Sequence, residues 1–548
     1  MRRLSSVLRS LPLLLLSLVL MLPVLAVLGS WLPVGQGDAL AGSILREMAA
    51  TVLPGYLRTT VWLGLLVALG AAIVGTGTAA AVTLFDFRGR RQLEWLLLLP
   101  LAMPAYVTAY AYTDFLQFSG PLQTWLRDTY GLEGRLLPEV RSLGGAVWVF
   151  IFSLYPYVYL LARTALGERA AHLMEAARLM GAPLSRRIWA VALPLARPAV
   201  AAGVALVVME TLADFGVVSY FGIPTFTTGI YKAWLSMDNR IAAAQLATFL
   251  LVLVVLLLQL ELRAQRRMRF VTGSTGRASS AEAQPLRLRG WRSALAWLVC
   301  LLPVLMGFVA PVFFMLRPLA SDWSVLPWDR FLDWAANSVR LGAMTSVLAV
   351  VIALALAFAV RRHKESAFTR GVVQLASLGY AVPGAVVVVG LLLPVGWIQQ
   401  MRPEWGFAGL VTATAVGIVW AYLVRFCAVA LQSMQSGYAR IAPSLDDSAR
   451  MLGTGAWGML ARVHWPLLRR STAAAALLVF VDVMKELPAT MVLRPFNSDT
   501  LAVVAYQLAR DERLGEAALP SLALVLVGLI PVIMLSRTLR AERPGTAR

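Results

Sequence analysis

The sequence predicts an all-α polytopic membrane protein of about twelve transmembrane helices, arranged as two tandem six-helix units. Three observations predict it. Apolar residues make up 59% of the 548 and charged residues only 14%, a composition foreign to soluble domains. The apolar residues gather in runs long enough to cross a hydrocarbon core, which takes roughly 20 residues. The two halves of the chain also repeat one another.

The runs fall at 11–29, 61–84, 93–113, 145–166, 198–219 and 241–262, then at 294–316, 339–360, 371–397, 406–431, 471–490 and 517–536. Lys and Arg concentrate between alternate runs: Arg2, Arg3 and Arg9, then Arg88, Arg90 and Arg91, the set from Arg163 to Arg197, and the stretch from Arg263 to Arg292. Cytoplasmic loops carry such an excess, so both termini are expected in the cytoplasm. A net charge of +20 spread over short loops beside apolar helices is a topology signal, with anionic headgroups as its counter-charge and no nucleic acid as partner. The basic start and first apolar run also resemble the plan of a signal peptide. The run from Leu11 to Gly29 is long for one and no clear A-x-A site follows, which favours a retained helix. Cys300 and Cys427 lie in runs of different halves and suggest neither a disulfide framework nor a metal site.

The polar, Gly- and Ser-containing stretch 263–293 reads as a cytoplasmic linker between a first domain, 1–262, and a second, 294–548. Across it Glu175-Ala-Ala-Arg-Leu-Met-Gly181, with Val191 and Leu193-Pro194, matches Asp447-Ser-Ala-Arg-Met-Leu-Gly453, with Val463 and Trp465-Pro466, at one constant spacing without a gap. Thr60-Val-Trp-Leu-Gly64 resembles Ser338-Val-Arg-Leu-Gly342, Pro104 answers Pro383, and Asp238-Asn-Arg240 answers Asp511-Glu-Arg513. Six helices per copy place both copies in the same orientation, a parallel pseudo-dimer. A shared pathway is then expected between the halves.

The two matched cytoplasmic segments, 175–194 and 447–466, carry the most chemistry. Gly181 and Gly453 permit a sharp change of direction, after which Ala182 to Ala192 and Thr454 to His464 suit a short amphipathic helix on the membrane face. Such a helix, carrying Arg186, Arg187 and Trp189 or Trp457, Arg462 and His464, fits a groove on a soluble partner; a connector lying on headgroups is the plainer alternative. The segments resemble the loops of ABC importer permeases, whose pattern is E-A-A-x-x-x-G followed by I-x-L-P. The first loop fits with Val191 for Ile. The second is worn, with Asp447 for Glu, Ser448 for Ala, Val463 for Ile and Trp465 for Leu.

This resemblance implies the fold of two type I importer permease domains, with Glu175, Ala176, Ala177, Gly181, Arg186, Arg187 and Pro194 in the first loop coupling the membrane domain to an ATPase, and Asp447, Gly453, Arg462 and Pro466 doing so in the second. It implies two copies of an ABC ATPase subunit, an extracytoplasmic solute-binding protein and a place in the bacterial inner membrane. No lysine follows a glycine in the chain, so no P-loop is present; ATP and Mg are expected on the partner, and neither catalytic nor cofactor-binding residues here.

Ionisable residues inside membrane segments are costly and draw attention. Glu210 and Asp214 stand four apart in the fifth run, and Asp482 and Glu486 at the aligned places of the eleventh, where Lys485 also lies. They read either as an acidic translocation path for a cationic or metal-bearing substrate, each pair on one helical face, or as carboxylates neutralised by Lys485 and by backbone at helix ends. The surrounding sequences, Met209 to Gly222 and Met484 to Ala502, resemble fused ferric-iron importer permeases, which makes Fe(III) the leading substrate; fused permeases for thiamine, phosphonate or polyamine are the rivals. A metal site is not legible: Tyr155, Tyr157 and Tyr159 scatter over different helix faces, and His172, His363 and His464 are dispersed in cytoplasmic loops. From another class, an ATP-independent secondary transporter or channel would use the carboxylates but leave the paired loops unexplained.

Overall fold

A computed structural model describes residues 2–31, 46–167, 171–272, 286–321, 323–324, 326–362, 371, 373 and 378–541. His363, the linker residues 273–285 and the side chains of Glu175 and His172 lie outside the described residues. The protein is an all-α polytopic membrane protein. The predicted runs correspond to α1 (Arg2–Gly29), α2 (Leu53–Leu84), α3 (Ala105–Leu116), α4 (Leu143–Ala165), α5 (Leu193–Ala213), α6 (Arg240–Thr272), α7 (Trp291–Ser321), α8 (Trp328–Arg362), α9 (Gly384–Met401), α10 (Ala415–Ala439), α11 (Trp465–Lys485) and α12 (Leu514–Ala541).

Two runs are shorter as helices than expected. The third bends by 89° between Arg90–Ala102 and the helical segment from Ala105, because Pro104 is extended (φ −58°, ψ 141°) and denies the chain a continuous hydrogen-bond ladder. Pro383, its counterpart, takes the same conformation (φ −58°, ψ 143°) and starts α9 at Gly384. Nine helices among the described residues are long and apolar enough to cross a membrane, ten with the bent pair counted as one span; α11 is not among them, its ends carrying Arg469, Arg470, Asp482 and Lys485.

The chain divides into two compact units that interleave the sequence. The first comprises Met1–Met48, Gly229–Leu251 and Trp328–Val504. Here α8, α10 and α11 pack on one another, and α1 lies along α9 so closely that a β-carbon on Gly390 would collide with the Pro23 backbone. Trp420 Nε1 in α10 donates to the Val19 carbonyl of α1 at 3.0 Å. The second unit comprises Ala49–Thr228, Val252–Pro327 and Ala505–Arg548, with α2, α4 and α5 as its centre and α7 against α2. A short β1 (Phe85–Asp86) pairs in parallel with β2 (Leu286–Arg287), fixing the end of the linker on the loop after α2. In both units, therefore, the helix that begins one sequence copy packs against helices of the other.

Lipid is as apolar as leucine, so helices in a bilayer associate by close packing. On α2, Leu65, Leu69 and Ile73 form an exposed stripe one turn apart while Val67, Ala71 and Gly75 are buried: the apolar stripe faces lipid and the small-residue face meets α4. Val158 of α4 sits between two glycines, since a β-carbon on Gly75 would lie 2.6 Å from its Cβ and one on Gly203 of α5 2.7 Å from its Cα. We predict that Gly203→Leu lowers the stability of the second unit by about 1–3 kcal/mol through overpacking, read as a reduced thermal midpoint of purified protein, whereas Gly77→Leu, whose site is open, leaves the midpoint unchanged.

Candidate functional site: the paired loops

Both loops open with a nine-residue helix, Ala171–Leu179 and Pro443–Met451. Each ends in a left-handed glycine, Gly181 at φ +80° and Gly453 at φ +76°. The Gly181 N–H donates to the Arg178 carbonyl at 2.9 Å and the Ala182 N–H to that of Ala177 at 3.0 Å; Gly453 to Arg450 and Thr454 to Ala449 repeat both bonds at the same lengths. This is the Schellman arrangement, in which the left-handed residue lets two terminal carbonyls find donors. Nothing lies within 4 Å of a β-carbon placed on either glycine, so the backbone conformation, and not crowding within the chain, calls for glycine here.

Beyond the turn the chain becomes helical again, at Leu184–Arg187 and Ala456–Gly458. The expected amphipathic helices do not end before the next span. They run into α5 and α11 through π-helical segments, Ile188–Ala192 and Met459–His464. The cause is Pro194 and Pro466, second residues of α5 and α11: proline cannot donate to the carbonyl four residues back, and one wider turn re-registers the ladder around it.

The loops expose apolar side chains at matching positions. Leu179 and Met180 are 83% and 87% exposed, their counterparts Met451 and Leu452 90% and 85%, with Trp189 and Trp457 exposed beyond the turn. Ala176, Arg186 and Arg462 are also exposed, Ala177 is half-buried and Arg187 is buried. Asp447, the aligned partner of Glu175, is exposed and pairs only locally, with Arg450 at 3.0 Å. Its neighbour Asp446 is buried and ion-paired, which no motif comparison singled out.

The intramembrane carboxylates occupy a different kind of place from the one expected. Helices α5 and α11 stop at Ala213 and Lys485, and Asp214 and Glu486 are extended (ψ 134° and 123°), so Glu210–Asp214 and Asp482–Glu486 do not share a helical face. Gly216 and Pro488 begin new short helices, and the carboxylates cap them. Asp214 accepts the Val217 N–H at 2.8 Å; Glu486 accepts those of Ala489 and Thr490, each at 2.9 Å, with the Thr490 hydroxyl at 2.7 Å. The cation on Glu486 is Arg425 of α10, at 2.9 Å, rather than the adjacent Lys485. Ser153 occupies the aligned position in α4, so the ion pair belongs to one copy only. Glu210, Asp482 and Lys485 are half-buried. Tyr155 and Tyr159 donate to the carbonyls of Leu97 and Glu94 at 3.0 and 2.9 Å, which makes them packing anchors.

Comparison with known proteins bears on the same segments. Residues 72–269, including the whole first loop, match the family of binding-protein-dependent transport system inner membrane components. The chain is 25% identical over 488 residues to an Fe(3+)-transport system permease protein, FbpB 2, of Haemophilus influenzae, a match covering 88% of this chain and 89% of that one. Residues 72–269 thus carry the permease domain of the binding-protein-dependent ABC importers, and the chain as a whole resembles a fused permease of that class. The permease is also 33% identical over 163 residues to the sulfate transport system permease protein CysW of Escherichia coli, 29% of this chain and 54% of that one. It is a multi-pass inner-membrane protein.

Removing a carboxylate from the two caps should have unequal results. Glu486→Gln leaves the half-buried Arg425 without its counter-charge and is predicted to cost more than Asp214→Ala, which removes one cap bond worth about 1 kcal/mol. Thermal unfolding of the two purified variants checks the order.

Proposed function

We propose that the permease imports ferric iron, handed over by an extracytoplasmic binding protein, through alternating access driven by ATP hydrolysis on two ATPase subunits docked on the loops at 175–194 and 447–466. The observation that carries the coupling assignment is the pair of loops: two sequences, one of them worn, fold to the same glycine turn with the same hydrogen bonds and expose apolar side chains at matching positions. A solitary connector resting on headgroups has no need of that duplication. Exposed apolar anchors beside a rigid turn are the form of a docking element.

On this reading both termini lie in the cytoplasm, ATP and Mg bind the partner subunits, and this chain binds neither. The division into covalent domains at 263–293 separates two copies that each present one loop. Ferric iron is supported by the likeness to the Fe(3+) permease, which extends over most of both chains; the sulfate permease matches over a much shorter stretch. Among the carboxylates, Asp214 and Glu486 serve first as caps, which weakens the case for an ion-driven carrier. Glu210, Asp482 and Lys485 are the better candidates for the translocation path.

An uptake assay with radiolabelled Fe(III) and, separately, thiamine, in cells lacking their own systems for both, tests substrate and coupling together. Wild type is expected to take up Fe(III) and not thiamine. Gly181→Arg should abolish uptake with the protein still inserted, because a β-carbon there meets nothing within the permease and the added bulk would stand where a partner docks. Gly181→Asn, which tolerates the left-handed conformation, should retain most activity. Equal loss in both variants would make the defect one of backbone strain, and unchanged uptake by the arginine variant would remove the docking assignment.

A further inference from the structure

The two loops share a backbone but are not held alike. In the second, Asp446 lies on the helix before the glycine turn and His464 at the end of the π-helical segment after it. The His464 Nε2 is 3.1 Å from Asp446 Oδ1, and both side chains are buried. Arg361, near the cytoplasmic end of α8, reaches the same carboxylate, with Nε 2.7 Å from Oδ2 and Nη2 3.3 Å from Oδ1. Its guanidinium also donates to the carbonyls of Ile441 and Ala442, at 3.0 and 3.1 Å. The Tyr438 hydroxyl, on the last turn of α10, stands 3.4 Å from His464 Nδ1. One carboxylate thus ties the arms of the loop to each other across the turn, and ties both to α8 and α10.

The first loop has none of these groups. The aligned residues are Met174 for Asp446, Ala192 for His464 and Thr83 for Arg361. Met174 and Ala192 are buried. Thr83 occupies the matching place, with its methyl near Gly167, but its hydroxyl turns back to the Ala79 carbonyl of its own helix. The copy with the worn motif is therefore the one with the polar lock. Burial would raise the Asp446 carboxyl, but the hydrogen bonds from Arg361 and His464 outweigh it and hold it below its ordinary range. It is ionised at neutral pH and protonates only in acid, below the range of an unperturbed aspartate.

We propose that Asp446 is the positioning residue of the second coupling loop, locking 443–464 to α8 and α10 so that loop and helices move as one body, while the first loop has the apolar Met174 and Ala192 at the aligned places. The two loops are then mechanically inequivalent inputs. A buried charge network whose members are all paired is rigid and fixes one arrangement, and removing a single member strands the others.

This inference rests on the ATPase docking proposed above, so two readouts are needed. The decisive variant replaces the lock as a set with the residues of the other copy, R361T/D446M/H464A, which leaves no stranded charge and keeps the protein folded. In the permease alone, in lipid nanodiscs, amide exchange across 443–464 is expected to rise about tenfold in the variant, with exchange across 171–192 unchanged. In the complete importer, the ATP hydrolysed per Fe(III) imported is expected to rise several-fold, with binding of the ATPase subunits retained. Unchanged exchange would overturn the lock itself. Faster exchange with an unchanged ratio of ATP to substrate would overturn its role in coupling. Wild type that hydrolyses no ATP during uptake would instead overturn the docking reading and leave the lock standing. Asp446→Asn, which keeps the shape and removes the charge, should shift both readouts in the same direction; exchange and coupling both at wild-type values there would contradict the assignment to Asp446.

Discussion

A backbone that breaks inside a bilayer must find partners for the N–H groups it exposes, because lipid offers none. This constraint governs the membrane part of the permease. Where α5 and α11 stop, at Ala213 and Lys485, the next residue is a carboxylate that turns to cap the helix following it. The second copy adds Arg425 to Glu486, with Gly384 leaving room beside both. With the caps in place the helix can break and restart at equivalent points of both copies. Without them, the short helices 216–220 and 488–493 would begin with donors left unpaired, each costing about 1 kcal/mol or more.

The same economy of backbone bonds shapes the paired loops. A left-handed glycine closes the first arm, and a π-helical segment absorbs the proline that follows the second. The loop and the span after it are in consequence one continuous helical body. The same backbone recurs in two copies with different side chains: Met174 and Ala192 in one, the Arg361–Asp446–His464 lock at the aligned places in the other.

Much of this was legible in the sequence, and what was hidden has identifiable causes. Apolar runs located the long helices, nine or ten of which among the described residues are long and apolar enough to cross a membrane, because the length of a span is set by the bilayer. The glycines of the loops were legible because few other residues accept their conformation. The breaks after Ala213 and Lys485 were not, since Glu210–Asp214 and Asp482–Glu486 have helical spacing and only the later Gly216 and Pro488 hint that the helix has ended. Lys485 was the nearest cation to Glu486 in sequence, yet Arg425 is its partner, because α10 and α11 lie side by side. Asp446 was overshadowed by Asp447, which fits the motif. A motif marks the residue facing solvent or a partner, and burial, decided only by packing against α8 and α10, selected its neighbour.

The central claim is that two structurally equivalent loops each receive one ATPase subunit, and crosslinking from their exposed tips tests it most directly. With a photoreactive residue at Met180 or at Leu452 in the assembled importer, each position should yield a single adduct with the P-loop subunit, at comparable efficiency. Adducts at one loop only, or with lipid at both, would contradict the account.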